Sequence, residues 1–129
     1  MSNKQTTIKS LVSLEGVGIH TGKDVKLSFK PADSDTGYVF KRLDLDGSPS
    51  IEALSKYVMN THRGTTLEKD GVKLKTIEHV LAALVGLEID NILIEINAEE
   101  PPIMDGSSKY FEESIKAFIT SLWFIIISL

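Results

Sequence analysis

The stretch KTIEHVLAALVGLEIDNILIEIN, residues 75–97, changes hydrophobic period once along its length. Ile77, Val80, Leu81, Leu84 and Val85 recur at i, i+3, i+4, i+7 and i+8, which predicts an amphipathic helix burying that stripe. Thr76 stands where a capping hydroxyl is expected, and Gly86 where a helix stops. From Asn91 to Asn97 apolar and polar residues alternate instead, the period of a half-buried strand. Helix followed directly by strand implies a helical layer packed on a sheet.

Outward from this stretch the same logic gives more strands. Residues 6–15 and 25–30 read as strands joined by GVGIHTGKD, whose glycines suit a tight connection with positive backbone dihedrals. A hairpin is the simplest reading. PADSDTG (31–37) is a turn by composition, YVFKRLDL (38–45) alternates as a strand, and DGSP (46–49) breaks it. Weaker strand signals follow at 51–58, 64–68 and 72–75, the last two flanking EKDG, which has hairpin chemistry. On the C-terminal side EEPPIMDGSS (99–108) is a loop in which Asp105 and Ser107 suit a turn and a helix cap. SKYFEESIKAFI then has a helical pattern that brings Tyr110, Phe111, Ile115 and Phe118 to the sheet. The predicted fold is α+β: a two-layer α/β sandwich with a mixed, mainly antiparallel sheet and two main helices on one face.

A chain of 129 residues fits one domain able to bury roughly two thirds of the surface exposed when unfolded. A net charge of −4 offers no broad basic surface, so nucleic-acid binding is not expected. There is no cysteine, hence no disulfide framework, and any metal must be held by His, Asp or Glu. The first ten residues hold no apolar stretch long enough for a secretory signal, which predicts a cytoplasmic protein. The apolar run LWFIIISL (122–129) is far short of the about 20 residues a membrane-spanning helix needs, so no membrane span is expected.

Glu78 and His79 sit side by side at the start of the helix, in a chain with three histidines. At about 100° per residue, His79 falls roughly opposite the apolar stripe and Glu78 at its border. Ala82 and Ala83 share the outer side and leave room for a second body or a ligand. The positive end of the helix disfavours an imidazolium. A neutral imidazole binds zinc, and an ionised carboxylate beside it can take a proton from water, so the pair has parts for metal-assisted hydrolysis. A catalytic zinc usually takes three protein ligands, and one histidine does not make a site. The plainer reading is a carboxylate complementing the helix end next to a surface histidine. His20 and Asp24 have a His-x-x-x-Asp spacing that would share a helix face. Gly16, Gly18 and Gly22 make helix improbable there, and in extended chain residues four apart lie about 13 Å from each other. His62 reads as a lone, solvated loop histidine.

GVGIHTGKDV, RGTTL, KTIEHVLAALVGLEIDNILIEIN and PPIMDGSSKYF, in this order, resemble the N-terminal half of UDP-3-O-acyl-N-acetylglucosamine deacetylase, the zinc enzyme of lipid A biosynthesis. The resemblance covers residues 6 to about 117. It implies a zinc ligand in His79, a general base in Glu78, UDP-3-O-acyl-N-acetylglucosamine as substrate, and two similar α/β domains with the active site between them. It also places Arg63 near the mouth of the site, where it could meet a diphosphate or the acyl chain, although a solvated arginine is the plainer reading. The family's other zinc ligands and its general acid belong to a second half that has no counterpart in this sequence. The expected organisation is therefore an N-terminal family domain at 1–117 and an apolar tail at 118–129, unlike the family, from a truncated or frameshifted gene end. Three functions are compatible: an inactive fragment of the deacetylase, half of a split enzyme completed by a second chain supplying the missing domain in trans, or a non-enzymatic binding module. Some relatives carry a fused dehydratase, and these residues do not report on one.

Overall fold

The computed structural model describes residues 5–18, 20–61, 64–104, 106–116 and 119–121. Strands β1 (Thr6–Ile8), β2 (Val12–Val17), β3 (Asp24–Lys30), β4 (Tyr38–Arg42) and β5 (Ser50–Glu52) come first. A 3-10 turn at Ser55–Tyr57 leads to β6 (Val58–Thr61), β7 (Gly64–Lys69) and β8 (Val72–Leu74). Helix α1 (Glu78–Gly86), β9 (Ile92–Ile96), α2 (Lys109–Lys116) and β10 (Ile119–Ser121) complete the order.

The main sheet runs β2-β3-β9-β4-β5, with β4–β9 parallel and the other neighbours antiparallel. Its register puts Val12 opposite Phe29, Leu14 opposite Leu27, Phe29 and Phe40 beside Ile94, and Ile51 opposite Phe40. All of these are buried, so one face of the sheet is a continuous apolar surface. The intervening residues are mostly polar, Val39 and Leu93 excepted, with the Ser13 and Ser28 hydroxyls 3.0 Å apart and Lys30 Nζ 2.7 Å from Glu95 Oε1. Val80, Ala83 and Leu84 of α1 and Phe111 and Ile115 of α2 join the apolar face in a single core. Each large side chain so buried contributes on the order of 1.5–3 kcal/mol. A second antiparallel sheet, β6-β7-β8, enters that core through Leu67 and Leu74, which are paired across β7 and β8. The architecture is α+β and mainly antiparallel, as the hydrophobic periods imply.

Several local expectations differ from the structure. The strand expected at 6–15 is two strands, because β1 leaves the main sheet to pair with β10 and the exposed residues 9–11 break the alternation. Strand β4 ends at Arg42 rather than Leu45. Arg42 occupies the buried face, only 5 % exposed, and is tolerated because Nε and Nη2 bond Asp44 at 2.8 and 2.7 Å and Nη1 donates to the Lys73 carbonyl at 2.8 Å. That guanidinium holds the Asp44 carboxyl below the usual carboxylate range.

The buried stripe of α1 is rotated from the one expected. Val85 is 64 % exposed, while Ala83, expected on the outer side, is fully buried. The cause is α2, which lies along the flank carrying Ala83 and Gly86; a Cβ on Gly86 would stand 3.0 Å from Glu112 Oε1. Small residues let the two helices approach closely.

Nor does Gly86 end α1 by adopting a left-handed conformation. The Ile89 and Glu88 N–H groups donate to the Leu84 and Val85 carbonyls, each at 3.0 Å, and the left-handed position is Glu88, at φ +58°. This is a Schellman ending with a non-glycine residue at its strained position. Glu88→Gly should therefore stabilise the domain by about 1 kcal/mol, read as a raised urea midpoint with an unchanged slope.

Candidate active site at the first turn of α1

Glu78 and His79 are the first two residues of α1. The chain reaches them through Thr76, which has φ +57°, a costly conformation for a β-branched residue. Thr76 does not cap the helix: the N-cap is Ile77, with no side-chain cap bond. The Thr76 hydroxyl donates instead to Glu100 Oε2 at 2.8 Å. The helix tip is secured from the other side by β7, where the Thr65 carbonyl accepts from the Ile77 N–H and the Thr65 N–H donates to Glu78 Oε1, both at 3.1 Å. Gly64 makes this docking possible. A Cβ there would stand 2.6 and 2.7 Å from the two Glu78 carboxylate oxygens, and its φ of +122° is one that L side chains rarely adopt.

Glu78 is thus clamped against β7, while His79 is half-buried at the border of the core stripe rather than opposite it, a consequence of the rotation of α1. The pair offers an ionisable oxygen and an imidazole side by side at a helix N-terminus. Among the described residues no three His, Cys, Asp or Glu side chains converge as a metal site would require. What His79 fits is one corner of a tetrahedral zinc shell, the remaining corners needing other donors. Arg63 and His62 lie outside the described residues, as do Asp105, Phe118 and the tail from 122 onward.

A second charged centre lies beside this tip, and no sequence motif points to it. Glu100 is completely buried. Its Oε1 accepts the His20 N–H at 2.7 Å and the Thr21 N–H at 3.3 Å; its Oε2 lies 2.6 Å from His20 Nδ1 and accepts from Thr76. Burial alone would raise the Glu100 carboxyl; bonds from the His20 amide and ring, the Thr76 hydroxyl and the Thr21 amide outweigh it and hold the group below its ordinary range. Gly18 belongs to the same cluster, since a Cβ there would meet Glu100 Oε1 at 2.8 Å. Gly16 similarly admits Pro102, whose Cβ would be 2.8 Å away. Of the three glycines expected to supply positive dihedrals, only Gly22 does, at φ +68°. The other two are glycine for close approach. His20 sits in a turn and Asp24 begins β3, so their spacing does not share a helix face.

The chain belongs to the UDP-3-O-acyl N-acetylglycosamine deacetylase (LpxC) family, which it matches over residues 5–121. The match and the β1–β10 pairing both reach residue 121. The chain is 49 % identical over 113 residues to the bifunctional enzyme LpxC/FabZ of Bacteroides thetaiotaomicron, covering 88 % of this chain and 24 % of that protein. It is similarly 49 % identical over 111 residues to the enzyme of that name from Chlorobaculum tepidum, covering 86 % and 24 %. For the Porphyromonas gingivalis enzyme the figures are 48 % over 113 residues, 88 % and 24 %. The chain therefore spans about a quarter of the length of these relatives. Among the described residues no helix is long and apolar enough to cross a membrane.

Proposed function

We propose that this chain carries the base-and-ligand half of a zinc-dependent deacetylase site acting on UDP-3-O-acyl-N-acetylglucosamine in lipid A biosynthesis. The observation that supports it is the Glu78 carboxylate clamped by Gly64 and Thr65 at a helix tip, next to a half-buried imidazole, in a chain of this family. His79 would hold the metal through one ring nitrogen, and a bound zinc would polarise the acetamide carbonyl and acidify water. Glu78 is the proton acceptor in this reading: β7 fixes it in place, so it needs no reorganisation to receive a proton from attacking water. Breaking the amide yields acetate and a free 2-amine, which needs a proton from a group outside this cluster. Arg63, one residue before Gly64, would meet the anionic diphosphate of the substrate. The other metal ligands would come from polypeptide outside residues 1–129, joined or separate.

Two measurements on residues 1–129 test this. Zinc(II) titrated into the chain should perturb the His79 ring nitrogens in ¹⁵N spectra, and His79→Ala should weaken binding more than about tenfold, or 1.4 kcal/mol. Binding that survives the substitution would overturn the assignment. With zinc and UDP-3-O-acyl-N-acetylglucosamine, the same chain should release negligible acetate, since a single imidazole leaves the metal incompletely held. Turnover comparable to that of a full-length relative would refute the half-site reading.

A further inference from the structure

Glu100 is the least expected charged group in the fold: a carboxylate with no solvent exposure, at the end of a loop, spending all its bonds on residues 20, 21 and 76. A carboxylate that served only to close the loop would need the backbone amides of His20 and Thr21 and nothing more. Oε2 goes further and takes the His20 ring and the Thr76 hydroxyl together. Because Oε1 accepts two backbone N–H groups and Oε2 accepts the threonine hydroxyl, the carboxylate acts as an acceptor throughout. The nitrogen of His20 that faces it must then carry the proton. The His20 side chain remains 34 % exposed, and no partner is found for Nε2 among the described residues. Histidines poised for ligation or proton handling characteristically show this arrangement, with one nitrogen fixed by a carboxylate and the other left bare.

Position gives the arrangement its meaning. His20 Nδ1 is 3.2 Å from Thr76 Oγ1, and Thr76 is two residues before Glu78. A non-glycine residue at φ +57° persists only where its surroundings over-determine it, and here those surroundings are Glu100 and His20. The bent segment that aims Glu78 and His79 and the loop that carries His20 therefore meet on a single carboxylate.

We infer that Glu100 is a positioning residue which fixes His20 as its Nδ1–H tautomer, so that a second imidazole presents an unprotonated Nε2 beside the Glu78–His79 helix tip. The inference rests on reading that tip as the reacting site.

The ¹⁵N ring shifts of His20 in the full 129-residue chain test it directly. At neutral pH Nδ1 should lie in the protonated, pyrrole-like range and Nε2 in the bare, pyridine-like range. The reverse pattern, or an average of the two, overturns the inference whether or not any variant folds. In Glu100→Gln, which can no longer hold the ring by charge, the two resonances should move toward each other by a large part of their separation. Thr76→Ala keeps the carboxylate and should leave the His20 pattern in place. An unchanged Glu100→Gln spectrum, or a flip in Thr76→Ala alone, counts equally against it. Adding zinc(II) alone reports separately on His79, so failure of the tautomer assignment is distinguishable from failure of the metal-ligand assignment.

Discussion

Glu100→Ala is expected to destabilise the domain by about 2–4 kcal/mol, a large share of the about 5–15 kcal/mol that a domain has in total. The variant leaves the His20 and Thr21 amides and the Thr76 hydroxyl without their acceptor, at about 1–3 kcal/mol for each such group that stays buried, and nothing then holds Thr76 in its left-handed conformation. The pH dependence of this effect has a definite sign. The Glu100 carboxyl is lowered from its ordinary 4.5 in the folded state, so near and below that value the unfolded chain binds the proton more readily. The stabilisation is complete above the unfolded value and drains away as pH falls through the folded one. Urea midpoints of wild type and variant should therefore differ fully at pH 7 and converge progressively below pH of about 4.5. A gap that widens toward acid would contradict the ionised-acceptor picture.

The second large effect is Gly64→Ala. It combines two costs, a backbone conformation at φ +122° that alanine resists and a Cβ driven onto the Glu78 carboxylate at 2.6–2.7 Å. Together these should amount to about 2–4 kcal/mol, with displacement of the carboxylate from the Thr65 amide. A double-mutant cycle separates them. On a Glu78→Ala background the collision is gone and only the backbone cost remains, so the coupling between positions 64 and 78 should be about 1 kcal/mol or more. Additive effects would mean that the glycine is needed for its dihedral alone. The prediction bears on function because the base proposed for the reaction can sit where it does only if residue 64 has no side chain.

Much of this architecture is readable from the chain, and the reasons differ by element. The helix at 78–86 and the strand at 92–96 are evident because each buries one face and so carries its own period. The rotation of α1 is not evident, since Val80, Leu81, Leu84 and Val85 are equally apolar. Only the position of α2 against Ala83 and Gly86 decides which of them is covered. Glycine is similarly ambiguous on the page: Gly22 is there for its dihedral, Gly16 and Gly18 for closeness to Pro102 and Glu100. The Glu78–His79 pair stands out through its motif and its place at the helix start. Glu100 could not stand out, because EEPP has no period and its partners His20 and Thr76 are 80 and 24 residues away in sequence. No local signal marks a carboxylate whose bonds are all long-range.

The order of strands has a bearing on how the chain is made. Strand β9 arrives after both its sheet neighbours, yet lies between β3 and β4 and, among the described residues, is the only strand joining them. Until residue 96 has left the ribosome, the β2–β3 and β4–β5 hairpins are separate pieces with an exposed apolar side each, open to mispairing. Synthesis halted shortly before that point should yield material that recruits chaperones and resists refolding, whereas emergence of five further residues converts two unlinked ribbons into a single five-stranded layer.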